Sequence, residues 1–388
     1  MVSNLAELAD EIERHLLLDV ADAWFPRCID PKGGYHENHS REWRLAPDLS
    51  RTLVFQSRVL WFTAKMSERD PAFHAYGKHG LDYFNDCIID ERGMVKNSFR
   101  PFAGIDLSKH RSSYSLAFAV YGMAAAAKHL KSSQALAHAS TIFNYLEAHH
   151  KDVHGRGYFE RTDLDGNVNP ELPRKGQNSH LHLLEAFAEL YRVWPLPLVK
   201  KRIQELIDFM TDDLFVEPGY LDDFIQTDGE RGDGRINFGH DLEVAHLLVT
   251  AADVIGEDQP LVRQRAIQLT DHALLKGWDV LQGGFWSGKT PEGTLERVKV
   301  WWVQCEALLG LAQLFSLTGK SAYLDALFRQ WSWIRDHQID SEFRGFYGVV
   351  DEHGQPIGRM AKGHTWKACY HDGRALMRVP EILRGISR

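Results

Sequence analysis

Residues 155–163 read GRGYFERTD, and the glycine–aromatic step inside them, Gly157-Tyr158, is one of six along the chain. The others are Gly34-Tyr35, Gly93-Met94 (a weaker copy), Gly219-Tyr220, Gly284-Phe285 and Gly345-Phe346. Their second residues lie 59, 64, 62, 65 and 61 positions apart in chain order. A period of roughly sixty residues holds two helices and a turn, so six copies predict a closed ring of helix pairs. For most of the landmarks the expected role is structural. Glycine supplies positive φ in a tight turn, and the neighbouring ring covers the barrel end.

Between the landmarks, apolar residues recur at helical spacing and long strand alternation is nearly absent. The pattern predicts helices over 4–24, 48–67, 71–88, 111–129, 133–150, 179–194, 197–214, 237–255, 259–276, 296–317, 320–338 and 366–378. Asp70-Pro71, the run Glu257 to Pro260, and Gly319-Lys320-Ser321 mark tight turns inside pairs. The longer links between pairs hold the landmarks, often just after an aspartate: Asp30, Asp90, Asp152, Asp279, Asp340. Runs such as GRGYFERTD and RGFYGVVDEHG (344–354) suit short β-hairpins. The predicted fold is all-α: an (α/α)6 barrel of twelve helices with short β-hairpins between pairs, one catalytic domain over residues 1–388.

Composition narrows the partners. The chain has 388 residues, 44% hydrophobic and 25% charged, with a formal charge of -8. That balance argues against a nucleic-acid surface. No apolar run approaches the ~20 residues of a membrane span, and the acid-bearing N-terminal helix is not a signal peptide. Cys28, Cys87, Cys305 and Cys369 stand far apart. They read as reduced core thiols of a cytoplasmic protein. Eleven tryptophans, 20 phenylalanines and 20 histidines fit sugar stacking and proton transfer, or equally a large aromatic core.

Counting from each landmark to the odd polar or aromatic residue of the next helix gives a register. Arg58, Tyr114, His182, His240, Trp302 and His371 follow their landmarks by 23, 20, 24, 20, 17 and 25 residues. Each falls in the first half of its helix. If these helices form the inner ring, the six side chains converge on one mouth and line a small-molecule pocket. In FGHDLEVAH, His240 and Glu243 share a helix face, as a tuned imidazole or as a surface ion pair. In QNSHLHLLEA, His180 and His182 face opposite ways, so only one reaches a pocket. Trp301 and Trp302 are likewise expected not to face inward together, with Gln304 and Glu306 near the same end. In KGHTWKACYHDGRA, Trp366, His371 and Arg374 follow one another. His240, Glu243 and His246 lack the HExxH spacing of helical zinc sites, so no metal site is expected. No phosphate loop, nucleotide fingerprint or GxSxG elbow is present.

These segments resemble the N-acylglucosamine 2-epimerase superfamily, and within it the cellobiose 2-epimerase branch most closely. The resemblance runs from GGYHENHS to YHDGRALMRV through LVFQSRVLWF, QNSHLHLLEAFAELYRVWP, GHDLE, WWVQCEALLG and WKACYHDGRA. It implies an (α/α)6 barrel that epimerises or isomerises sugars without metal or redox cofactor. It places the family's essential arginine on Arg58 and its histidines on His182, His240 and His371. Asn178 lies beside His182, Glu243 partners His240, and Trp366 forms a wall. Tyr114 and Trp302 match pocket aromatics, and Phe285-Trp286 matches a pair that stacks a second sugar. Glu306 is a further nearby acid. Two departures stand out: Cys369 where proline is common, and a short segment before Asn178.

The activity implied is C2 epimerisation of a glucose or mannose unit, either at the reducing end of cellobiose or as the free sugar. His240 and His371 would exchange the C2 proton from opposite faces, Arg58 would stabilise the enediolate, and His182 would assist ring opening. Mannose-to-fructose isomerisation is the nearest alternative. An inverting glycoside hydrolase would need two carboxylates about 6.5–9.5 Å apart, and a noncatalytic sugar binder would not need the histidines. The substrate is a mono- or disaccharide, and the assembly a monomer or homodimer.

Overall fold

The computed structural model describes residues 2–47, 51–96, 110–168 and 174–386. Twelve helices follow one another among them. They are α1 (2–24), α2 (Leu53–Met66), α3 (72–88), α4 (Ser113–His129), α5 (Ser133–His149), α6 (Gln177–Tyr191), α7 (197–213), α8 (Phe238–Ile255), α9 (Pro260–Gly277), α10 (Trp301–Thr318), α11 (321–338) and α12 (His371–Ile386). The even-numbered helices form the inner ring. Each packs on the next: α2 on α4, then α6, α8, α10 and α12. Gly373 on α12 closes the ring by abutting the Phe62 ring of α2, where any Cβ would collide. Each odd helix backs the inner helix before it, and α1 backs α12.

Burial explains the division. α8 and α10 are buried on almost every side, as inner helices must be, because each is flanked by two neighbours and an outer helix. The outer helix α7 starts with Pro197, and α9 with Pro260, where a missing N–H costs nothing. α8 and α10 stop at Gly256 and Gly319, both left-handed.

The landmarks sit in the links, and their anatomy repeats. Gly34, Gly93, Gly157, Gly284 and Gly345 have φ between 69° and 84°. Gly219 differs: it is needed because a Cβ would meet the Gln268 carbonyl oxygen. Each noted aspartate accepts backbone N–H groups of its own turn; Asp279, for example, takes those of Leu281 and Gln282. A buried lysine from the segment before the next inner helix clamps three of the five: Lys175 on Asp152, Lys299 on Asp279, Lys362 on Asp340. The landmark aromatics Tyr35, Tyr158, Phe285 and Phe346 are buried rather than capping the barrel end, while Tyr220 is half-buried. Their backbone is pinned by a side chain from the following segment: Tyr35 by Gln56, Tyr158 by His180, Phe285 by Gln304, Phe346 by Lys367.

Several expectations need correction. Among the described residues, Phe215–Val216 with Tyr220–Leu221 and Gly288–Lys289 with Leu295–Glu296 are the two-residue strand hairpins within one link; the links at GRGYFERTD and RGFYGVVDEHG close tighter turns through the single bridges Thr162 to Val168 and Val350 to Pro356. The other strands stitch one link to the next, as Arg111–Ser112 does to Arg161–Thr162 and Lys299–Val300 to Val349–Val350. That pairing is why α10 begins at Trp301 and not near 296. α12 begins at His371 because His364 and Lys367 bridge in a turn. It then runs past 378 through Pro380, held by the buried Leu376, Met377, Val379 and Leu383. The expected start of α2 at 48 falls outside the described residues, as does most of the short segment before Asn178. The cysteines are unpaired, but Cys87 is exposed and not a core thiol. No helix among the described residues is long and apolar enough to cross a membrane.

Candidate active site

All six inner helices begin at one mouth, and a cavity of about 410 Å³ lies there. Arg58, Tyr114, His182, His240, Trp302 and His371 all line it, together with Asn178, Glu243 and Trp366. Each of the six lies within the first two turns of its helix. The cavity therefore faces the N-terminal ends of six helices, whose unpaired N–H groups favour negative charge.

Local chemistry sets each side chain. Arg58 is buried, stacked over the Phe118 and Tyr370 rings, and donates to the Trp366 carbonyl (2.7 Å) and the Tyr114 hydroxyl (3.0 Å). Asn237 caps α8 by accepting the N–H of His240. His240 Nδ1 lies 3.1 Å from Gln177 Oε1. An amide oxygen only accepts, so Nδ1 carries the hydrogen and Nε2 keeps its lone pair. Trp302 abuts Gly239, and its ring stands 5.1 Å from His240 and 5.6 Å from His371, centroid to centroid. Both imidazoles thus lie against one indole. His182 contacts Tyr114 edge-on and has Glu185 3.4 Å from Nδ1. Only one histidine of that pair reaches the cavity, as expected; the other, His180, is structural and accepts the Tyr158 N–H.

Behind His371 lies a buried ionic cluster. Its Nδ1 is 2.6 Å from Glu306 Oε1 and 4.0 Å from Glu243 Oε1. Arg374 Nη2 reaches both carboxyls, at 2.5 Å and 2.7 Å, while Nη1 holds Glu185 and the Tyr370 hydroxyl. His246 Nε2 meets the other Glu306 oxygen at 2.7 Å. The guanidinium supplies the positive charge this acidic cluster requires.

Burial pushes the imidazoles down, His240 and His371 to about 3 and His182 to about 4. All three are neutral near neutral pH. Burial and then the Glu306 charge push Glu243 up to about 8, against the pull of Arg374. Burial also pushes Glu306 and Glu185 up, but Arg374 and the neighbouring histidines outweigh it. Glu185 is held at about 2, and Glu306 well below the usual carboxylate range.

Three placements differ from the sequence reading. Trp286 does not line the cavity; it is buried, with Lys299 Nζ 4.5 Å from its ring. The clamp on Asp279 brings that lysine there. Glu306 is fully buried behind His371 and does not face the cavity. Trp301 and Trp302 both line the cavity, because Trp301 opens the helix, where the chain leaves the strand Lys299–Val300. Gln177, Glu160 and Arg161 escaped notice. Gln177 immediately precedes Asn178, and Glu160 and Arg161 follow a landmark within GRGYFERTD, so position in the link was the available signal.

The sequence pattern of the N-acylglucosamine 2-epimerase (GlcNAc 2-epimerase) family matches residues 33–375. A cellobiose 2-epimerase of Bacteroides fragilis is 25% identical over 390 residues, covering 95% of this chain and 97% of that protein. A D-mannose isomerase of Marinomonas mediterranea is 26% identical, covering 92% and 95%. The solved structure of a cellobiose 2-epimerase from Spirochaeta thermophila superposes with a TM-score of 0.88 at 26% identity, over 100% of this chain and 99% of that one. Matched over most of its length, with a barrel shared end to end, the chain belongs to the N-acylglucosamine 2-epimerase family.

Proposed function

We propose that this chain is a carbohydrate 2-epimerase interconverting glucose and mannose units at a reducing end. The observation that supports it best is the pair of neutral imidazoles, His240 and His371, both against Trp302 in one cavity with Arg58. Inversion at C2 needs two proton-active groups on opposite faces of a planar enediolate. His182, with Glu185 behind it, assists opening of the pyranose. His240 Nε2 takes the C2 proton, and His371 returns one to the other face. Arg58 and the six helix N-termini stabilise the enediolate charge between these steps. Asn178, Tyr114 and Glu243 hold the sugar. No metal or redox cofactor enters these steps.

With Trp286 buried, the aromatic face offered to a second sugar is Trp366, 41% exposed at the mouth. This supports cellobiose alongside free mannose or glucose. All the site residues come from one chain, so monomer and homodimer fit equally. Unpaired cysteines support a reducing, cytoplasmic setting. The hydrolase reading loses support, because donor oxygens of Glu243 and Glu306 lie within 4.8 Å of each other, short of the ~6.5–9.5 Å that inversion at a glycosidic bond requires.

The test is product analysis on cellobiose and on D-mannose. Epimerisation predicts glucosyl-mannose from the first or glucose from the second, and His240→Ala or His371→Ala should lower kcat by about 10²–10⁴-fold. Fructose as the main product from mannose would select the isomerase reading, and free glucose released from cellobiose the hydrolase.

A further inference from the structure

The epimerase reading leaves one question in the proton inventory. A neutral His240 is ready to accept a proton, but a neutral His371 has no spare proton to give. We propose that Glu243 and Glu306, bridged by Arg374, share one proton, and that this stored proton is what lets His371 act as the acid. The inference rests on the epimerase reading above.

The geometry carries it. Both carboxyls and His371 are buried, and their donor atoms lie within 4.8 Å of one another. A single guanidinium nitrogen, Arg374 Nη2, serves both carboxyls. Burial disfavours the charged form of Glu243, and a second carboxylate this close disfavours it further, so the pair keeps one proton. Arg374 is also engaged by Glu185, which it holds ionised, so its charge is divided.

The step balances. The pair's proton rests on Glu243; His371 presents Nε2–H to the cavity while Nδ1 faces Glu306 Oε1, 2.6 Å away. Nε2–H goes to C2 of the enediolate as the pair delivers its proton through Glu306 Oε1 to Nδ1. His371 ends neutral, the pair ends fully ionised, and His240 holds the proton taken from the substrate. Exchange with solvent returns one proton to the pair and removes one from His240. The imidazole never has to hold a positive charge in its buried setting.

Other titratable or charged groups face this cluster. From α6 come His182 and Glu185, and from α8 His240 and His246, the latter on the far oxygen of Glu306. Cys305 on α10, Tyr114 and Tyr121 on α4, Arg58 on α2 and Tyr370 also face it. The acid function is present while the pair is protonated and is lost as pH rises through its titration, raised to about 8 on Glu243.

The experiment is the kcat–pH profile of wild type, Glu243→Gln and Arg374→Met, with infrared titration of buried carboxyls in the same sugar-free proteins. Wild type should show an alkaline limb and a protonated carboxyl band titrating with it. Glu243→Gln leaves Glu306 alone with Arg374 and His246, so the band disappears, the limb moves to lower pH, and kcat falls about 10²-fold or more. Arg374→Met removes the cation and moves the limb to higher pH. If Arg374→Met fails to fold, the near-isosteric Glu243→Gln decides alone. An unchanged limb and band in Glu243→Gln overturn the inference. A band that titrates as predicted in a protein that turns over no sugar sinks the epimerase reading while leaving the shared proton standing.

Discussion

His180 and His182 stand two residues apart on α6 and do unrelated work. His180 accepts the Tyr158 N–H and pins a landmark turn, while His182 faces the cavity with Glu185 behind it. The sequence told them apart only as a pair, through helical spacing. Gln177 carries a similar lesson. It orients His240 from the first residue of α6, and its removal should cost geometry rather than binding. Gln177→Leu is predicted to lower kcat about tenfold with KM little changed, because Nδ1 loses the oxygen that fixes its tautomer. Steady-state kinetics checks this, and an equal rise in KM would show Gln177 holding the sugar instead. The six cavity residues were legible in the sequence because each needs only to lie near the start of an inner helix. Gln177 and the depth of Glu306 were not, because those depend on contacts between α6, α8, α10 and α12.

At the scale of elements, the links decide the shape of the mouth. Their glycines and aspartates were legible, since positive φ and side-chain-capped turns leave a local mark. The lysines that clamp them were not, because each lies about twenty residues onward and reads as an ordinary charge. Lys299 is fully buried against Asp279 and the Trp333 ring. Removing one partner of a buried pair strands the other, so Lys299→Met should destabilise the fold by about 3 kcal/mol and lower Tm. Calorimetry checks this, and an unchanged Tm would show that the clamp contributes nothing net. The same clamps give an acid sensitivity. Burial pushes Asp152 and Asp279 up, but Lys175 and Lys299 with the turn N–H groups bring both below the ordinary value. A depressed carboxyl stabilises the fold above its unfolded pKa. That stabilisation fades as pH falls through the folded one, so Tm should fall in acid, and less steeply in Asp279→Asn.

The whole molecule is a ring that points six helix N-termini and the imidazoles of His182, His240 and His371 at one cavity. The sixfold period announced the ring, and it needed no contact information, because a repeat that long closes on itself to bury its inner faces. What the period could not announce was the buried charge cluster beneath the mouth, or that Trp286 belongs to a clamp and not to the cavity. The central claim is proton exchange at C2 by two histidines on opposite faces. Its most direct test is NMR of the product formed from D-mannose or cellobiose in D2O. The account predicts an inverted C2 that carries one deuterium from the first turnover onward; product that keeps its original hydrogen at C2, or carries the deuterium at C1 of a ketose, would contradict it.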